Sequence, residues 1–104
     1  MEDEAPAPSS TAAEELVKKG TKLEALARND EVVKRFGEAT EPALREQVAR
    51  TLMNKGVALG ALGRNDDAIG VYDEVVRRFG EATEPALREQ VAKALVNKGG
   101  LLNT

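Results

Sequence analysis

Glycine and lysine residues in the segment 55–63 form the pattern that most resembles a nucleotide-binding loop. A phosphate-binding loop needs a Lys followed by Ser or Thr after its last glycine, and a strand before it. Here Arg64 and Asn65 follow instead, within an all-helical pattern. We therefore interpret Gly56 and Gly60 as notches that let two helices approach closely.

Acidic side chains cluster at two equivalent places along the chain. The members are Glu38, Glu41 and Glu46, and then Glu81, Glu84 and Glu89. Paired carboxylates can serve a hydrolase. Both clusters, however, fall at predicted helix starts, where the helix dipole favours acidic residues. We interpret them as structural and predict no metal site.

Few other residues could catalyse a reaction. The chain has 104 residues and no His or Cys, so the commonest general base and every thiol nucleophile are missing. Ser9 and Ser10 lie near the N-terminus without a basic partner, and Tyr72 lies on a predicted apolar helix face. We predict no catalytic site and no cofactor.

The charge balance bears on partners and location. The chain carries 15 Lys plus Arg against 18 Asp plus Glu, a formal charge of −3, which does not favour nucleic-acid binding. No apolar run is long enough to span a membrane. Residues 1–10 are acidic and rich in Pro and Ala, unlike a signal peptide. We predict a disordered tail over 1–10, a single helical domain over 11–104 and a cytoplasmic location.

The chain contains a long internal repeat. The segment 35–49 recurs letter for letter at 78–92, at an offset of 43 residues. Between residues 31–61 and 74–104, 23 of 31 positions are identical, which indicates a recent duplication or a designed sequence. A fixed period of this order is typical of stacked helical units.

Each copy of the repeat contains a long helical pattern. Apolar residues and glycines at spacings of three and four predict a helix over 41–62. Thr40 is the predicted N-cap, and Pro42 is tolerated in the first turn. Gly63 supplies a left-handed C-terminal residue.

Two further helices are predicted, over 66–79 and 84–102, with Asn65 or Asp66 as the N-cap of the first. The repeat also predicts equivalent buried sites for Phe36 and Phe79. The predicted apolar face of 66–79 consists of Ala68, Ile69, Tyr72, Val75, Val76 and Phe79.

A set of small, apolar and aromatic residues follows at fixed spacings, namely Gly56, Leu59, Ala68 and Tyr72. These stand at the eighth, eleventh, twentieth and twenty-fourth positions of the tetratricopeptide repeat, which this unit therefore resembles. Asn54 and Gly63 match further positions. Lys55 and Val75 depart from the motif, and the period is 43 residues where the family has about 34. The resemblance implies an all-α fold of antiparallel helical hairpins, either a mini-solenoid or a four-helix bundle.

Residues 12–36 do not follow the plan of the later copy. The unit is seven residues shorter, and Ala27 replaces the turn glycine. In one interpretation residues 28–30 still form a turn and leave a short helical stub. In the other, 12–36 is one continuous helix, because residues 24–36 overlay 67–79 without a gap and the apolar stripe is retained. We favour the second interpretation.

In the tetratricopeptide family the first helix of each repeat lines a concave groove that holds peptides. Asn54 and Lys93 also match two positions of a constellation with which some members grip a peptide carboxylate, whereas Val17, Thr21 and Asn97 do not match the rest. The groove-facing positions implied by the resemblance are Lys18, Arg50, Met53, Asn54, Val57, Lys93, Val96 and Asn97.

These observations predict a non-catalytic protein–protein interaction module or structural scaffold whose partner is a protein or peptide. One alternative is a truncated or engineered fragment whose main property is folding and self-assembly. A second alternative is a small-ligand binder in a cleft between helices. The solution mass and the preference for peptide or small molecule would discriminate among them.

The final helix shows no polar cap of the kind that ends natural solenoids. We therefore predict a homodimer or a higher assembly through the terminal helices. The candidate residues for self-association are Leu87, Val91, Leu95, Leu101 and Leu102.

Overall fold

The computed structural model describes residues 7–103, with side chains from residue 22 onward. This part of the chain forms four helices and no strand, which confirms the all-α prediction. The helices are α1 (Ala7–Phe36), α2 (Pro42–Ala61), α3 (Asn65–Phe79) and α4 (Pro85–Leu102). In the described residues, no helix combines the length and the apolar character that a membrane crossing requires.

Helix α1 runs without a break through Arg28, Asn29 and Asp30, as the continuous interpretation predicts. It begins at Ala7, so residues 7–10 are helical and do not belong to a disordered tail. Proline is tolerated in a first helical turn and alanine favours helix, which accounts for the early start. The rest of the predicted tail, residues 1–6, lies outside the described residues.

Helices α2 and α4 begin at prolines, at Pro42 and Pro85. The residue before each proline is extended, with φ −66° and ψ 134° at Glu41, because a proline disfavours helical geometry in its predecessor. Glu41 is therefore the N-cap residue, and its side chain makes no capping hydrogen bond. The prediction of Thr40 as N-cap is wrong by one residue.

The turn between α2 and α3 depends on Gly63. Its φ of +79° lies in the left-handed region, as predicted, and among the described residues no other position has a positive φ. Arg64 is the N-cap residue of α3, in place of the predicted Asn65 or Asp66. Its guanidinium instead holds the Asp67 carboxylate in the first turn, with Nη2 2.7 Å from Oδ2.

The hydrophobic core lies between α2 and α3, with contributions from α1 and α4. Most of the predicted face of α3 is buried, but Ile69 and Val76 are only half-buried, and the unpredicted Val71 is buried. The buried apolar residues are Leu26, Val48, Ala49, Leu52, Met53, Leu59, Ala68, Val71, Tyr72, Val75, Phe79, Leu87 and Ala94.

Helix α2 is the centre of the packing. It contacts α1, α3 and α4, whereas α3 contacts α2 and α4, and α1 contacts only α2 within the described part of the chain. The molecule is accordingly long and thin, 59 × 32 × 19 Å, with a radius of gyration of 16.9 Å. A compact domain of this length would have about 13 Å.

Two salt bridges reproduce the 43-residue offset in three dimensions. Lys55 Nζ lies 2.6 Å from Asp30 Oδ1, and Lys98 Nζ lies 2.7 Å from Asp73 Oδ1. The first pair joins α1 to α2, and the second joins α3 to α4. The C-terminal half of α1 therefore lies against α2 as α3 lies against α4.

The prediction that Phe36 and Phe79 occupy equivalent buried sites is wrong. Phe79 is 5% exposed, and the Arg45 guanidinium of α2 lies 5.7 Å from its ring centre. Phe36 is 39% exposed. The cause is that α2 covers Phe79, whereas no described helix lies on the equivalent side of α1.

Candidate functional site

An open groove of about 440 Å³ runs between α2 and α4. Six of its lining residues are among the groove-facing positions that the resemblance implies. The lining residues are Arg50, Met53, Asn54, Val57, Glu89, Gln90, Lys93 and Asn97.

Two predicted positions are not among these lining residues. Val96 lies on α4 and is 72% exposed. The side chain of Lys18 lies outside the described residues, and α1 makes no contact with α4 in the described part of the chain. The groove is therefore built by two helices.

The groove wall also contains Glu89 and Gln90, which the repeat spacing did not assign to it. Glu89 Oε2 lies 3.3 Å from Lys93 Nζ, one helical turn away. Gln90 is 9% exposed and belongs to the buried side of α4. The i,i+4 spacing of Glu89 and Lys93 is the signal that could have placed Glu89 in the groove.

Gly56 brings α3 close to α2 beneath the groove. A Cβ atom at this position would lie 2.5 Å from Cε1 of Tyr72, so only glycine fits the observed separation. The notch predicted at Gly56 is thus confirmed. At Gly60 a Cβ atom would make an ordinary contact, 3.9 Å from Leu101 Cδ2, so the notch predicted there is wrong.

Tyr72 connects this packing of α2 and α3 to a residue of the groove. Its hydroxyl accepts a hydrogen bond from Nδ2 of Asn97 at 3.4 Å, which is long and therefore weak. Tyr72 is otherwise buried against Gly56. The contact links α2, α3 and α4 and orients one of the two groove asparagines.

The other groove asparagine, Asn54, is exposed, and its side chain makes no hydrogen bond to any part of the chain that the structure describes. It occupies the position on α2 that Asn97 occupies on α4, 43 residues later. An asparagine amide offers both donors and an acceptor, which matches the two groups of a peptide unit.

The charges beside the groove are paired within their own helices. Arg50 Nη2 lies 2.6 Å from Glu46 Oε2 on α2, and Lys93 pairs with Glu89 on α4. Such exposed i,i+4 pairs contribute only about 0.3–0.5 kcal/mol. They leave the flanks of the groove close to neutral.

A second cleft, of about 570 Å³, lies between α1, α2 and α3. Its lining includes the apolar side chains of Leu26, Leu59 and Val71. Two ion pairs stand among its polar lining residues, Asp30 with Lys55 and Arg64 with Asp67. This cleft is a candidate place for the small-ligand alternative.

The acidic clusters do not assemble into a metal site. Among the described residues, no group of three or more Asp, Glu, His or Cys side chains converges as metal ligands would. Glu84 pairs instead with Arg45 across α2 and α4, with Oε2 and Nη1 2.9 Å apart.

The five residues predicted for self-association divide by burial. Leu87 is buried in the core, so it is not available for contact with another chain. Val91 and Leu101 are half-buried. Leu95 and Leu102 are exposed on the surface of α4, 53% and 63% respectively.

Comparison of the chain with models of protein families, with curated proteins and with solved structures gives no match. The functional interpretation therefore rests on the geometry of the two clefts and on the internal repeat.

Proposed function

We propose that this protein is a non-catalytic interaction module that binds an extended segment of another protein across the groove, from α2 to α4. The observation that carries the proposal is that Asn54 and Asn97, equivalent residues of the two copies, both line this groove. The groove therefore contains two equivalent side-chain amides, one from each copy of the repeat.

The spacing of the two amides suits an extended chain. Packed helices lie about 8–10 Å apart. An extended peptide advances about 3.3 Å per residue, so equivalent positions on α2 and α4 match every third residue of the ligand. Side-chain amides at such positions can pair with the main chain of many sequences, because they bind peptide groups and not side chains.

Apolar and charged residues beside the amides add selectivity. Val57 is 55% exposed in the groove and offers a contact for an apolar ligand side chain. The cations Arg50 and Lys93 can exchange their exposed intrahelical partners for a ligand carboxylate at little cost, because such pairs are weak.

The cleft between α1, α2 and α3 is the less favourable candidate. A ligand would have to displace an ion-pair partner to bind Asp30, Lys55, Arg64 or Asp67 in this cleft. The groove asparagine Asn54, in contrast, has free hydrogen-bonding capacity within the described residues.

The test uses a displayed library of unstructured peptides against the full chain, followed by fluorescence anisotropy with a recovered peptide. We expect Asn54→Ala and Val57→Glu to weaken binding by about tenfold or more, which corresponds to about 1.4 kcal/mol. Leu23→Glu, an equally apolar and exposed position in the other cleft, is the matched control and should leave peptide binding unchanged.

The opposite pattern would reject the groove. Peptide binding that survives Asn54→Ala and Val57→Glu but is lost in Leu23→Glu would move the site to the cleft between α1, α2 and α3. A library that yields no binder to the folded chain would remove the support for a peptide-binding function.

A further inference from the structure

The exposed face of α4 has a sequence counterpart on α2, where the same positions are buried. Leu52 and Leu59 of α2 are 1% and 4% exposed, whereas their equivalents Leu95 and Leu102 of α4 are 53% and 63% exposed. The helix starts are identical over eight residues, PALREQVA. Because the leucines themselves are the same in both helices, the difference in burial reflects what covers each helix.

Helix α3 covers α2 in this position. Tyr72 of α3 packs on Gly56, and Phe79 of α3 lies beneath Arg45. On α4 the equivalent of Gly56 is Gly99, and the space in front of it is open, with no side chain within 4 Å of where a Cβ atom would lie. The uncovered face of α4 is thus shaped for a helix of the α3 type.

The second half of α1 is such a helix. Residues 24–36 overlay 67–79 without a gap, and the two equivalent salt bridges described above show that this part of α1 lies on α2 as α3 lies on α4. On α1, the positions equivalent to the α2-facing side of α3 include Ala25, Val32 and Phe36. No described helix covers that side.

We propose that the uncovered face of α4 binds the uncovered face of α1 from a second copy of this chain, in the arrangement that α2 and α3 adopt within one copy. The contact is head-to-tail, because it joins two different surfaces. Each added copy exposes a new α4 face, so the assembly is open-ended.

Two arginine contacts seen within one chain can form again between two copies in this assembly. The Arg45–Phe79 contact is repeated by Arg88 of one copy and Phe36 of the next, both of which are exposed in the single chain. Both members of this second pair are therefore available to meet.

The second contact involves the loop after α1, whose counterpart in the assembly is the loop after α3. Arg78 Nη1 donates to the Gly37 carbonyl at 3.2 Å, while its Nε holds Glu74. Arg35 holds Glu31 in the same way, with Nε 2.6 Å from Oε2. In the assembly the second copy's Arg35 stands where Arg78 stands, and the Gly80 carbonyl is its acceptor.

The docked copy also covers the part of α4 that borders the groove. In the assembly, α2 of the docked copy lies beside α4 of the first copy, just as α4 lies beside α2 within one chain. Met53 of α2 is 7% exposed, whereas its equivalent Val96 of α4 is 72% exposed, and this addition buries it. The assembly therefore lengthens the groove between α2 and α4 and does not block it.

Two substitutions make this contact weaker than its counterpart inside the chain. Arg28 and Asn29 of α1 stand where α3 has the buried Val71 and Tyr72. Asn29 is smaller than tyrosine and fills the space before Gly99 less completely. Loss of apolar burial lowers affinity, so we expect association that depends on concentration and not a permanent oligomer.

The test is sedimentation of the full chain over a dilution series from low micromolar to millimolar concentration. The variants Leu95→Glu and Phe36→Glu each remove one of the two faces. Both side chains are exposed in the single chain, so folding is retained, and circular dichroism at low concentration checks this. Val57→Glu, with an equally exposed apolar side chain on α2, is the matched control.

We expect the mean mass of the parent and of Val57→Glu to rise with concentration beyond that of a dimer. Each of the other variants alone should weaken association more than about tenfold, because it buries an unpaired charge. An equimolar mixture of Leu95→Glu and Phe36→Glu should form dimers and stop there, since each chain retains one complementary face.

Three results would overturn the proposal. A parent that stays monomeric at millimolar concentration excludes a second copy as the occupant. A Phe36→Glu variant that associates like the parent would indicate a symmetric contact between two α4 helices. A mixture that remains monomeric would show that the two faces do not bind each other. Peptide binding to the groove can succeed or fail independently of each result.

Discussion

Gly56 shows how a single missing side chain determines the spacing of two helices. The glycine allows the Tyr72 ring to lie directly on the α2 backbone, which in turn brings the Tyr72 hydroxyl to Asn97. Its equivalent Gly99 also follows an Asn-Lys pair and has an empty space in front of it. The same residue type is thus a packing requirement in one copy and a free position in the other.

We expect Gly56→Ala to lower the free energy of unfolding by about 1–2 kcal/mol, because the overpacking cost exceeds the gain in helix propensity. Gly70→Ala in α3 is the control. It has nothing within 4 Å, so the same change should raise stability by up to ~1 kcal/mol. Urea unfolding measures both, and a stabilised Gly56→Ala would mean that α2 and α3 are further apart than described.

The two phenylalanines provide a matched pair of truncations. Phe79→Ala should cost about 3–5 kcal/mol, because the ring is buried between α2 and α3. Phe36→Ala should cost about 1 kcal/mol or less, since its ring is half-exposed in the single chain. Chemical denaturation at low protein concentration tests the difference, and equal losses would contradict the one-sided coverage of α1.

For the helices and turns, the sequence predicted most of the features that depend on local residue patterns. The four helices, the turn at Gly63 and the continuity of α1 follow from glycine placement and apolar spacing. The exposure of Phe36 could not be predicted in this way. It depends on whether another helix lies outside α1, and the residues that follow Phe36 are identical to those that follow Phe79.

The groove, too, could be predicted from the sequence only in part. The repeat spacing placed Asn54 and Asn97 on equivalent positions, which is why both were found. Sequence could not show that, among the described residues, only α2 and α4 line the groove, because that result depends on α1 packing on α2 without contacting α4.

In the part of the chain that the structure describes, helix α1 packs against one helix, whereas α3 packs against two. We expect amide hydrogen exchange at low concentration to be faster over residues 22–36 than over α3, because fewer buried contacts must be lost to open α1. Mass spectrometry of exchanged peptides resolves this difference. Equal protection of the two segments would contradict the description of α1 as attached at one face.

The end of α2 depends on the left-handed Gly63. We expect Gly63→Ala to cost about 1–2 kcal/mol, because an L-residue is strained at φ +79° even where space is open. Thermal unfolding checks this value. Ala27→Gly, the reverse change at the equivalent position of α1, should cost about 1 kcal/mol as an interior helix substitution without introducing a turn.

The whole molecule is elongated because its helices stack in one direction. We expect small-angle X-ray scattering at low concentration to give a radius of gyration near the 16.9 Å of the structure. A closed four-helix bundle of this length would give about 13 Å. A measured value near the smaller figure would mean that α1 folds back against α3 or α4.

Near-identity of the helices α2 and α4 has a kinetic consequence. Helix α1 packs on a surface of α2, which follows it after one short loop. Helix α4, further along the chain, presents almost the same surface. Closing a loop about ten times longer costs only ~2 kcal/mol more in chain entropy. A refolding chain can therefore form a misfolded state in which α1 packs on α4 and the hairpin between them is displaced. The native state then forms only after this misfolded contact has unfolded, so the internal repeat slows refolding.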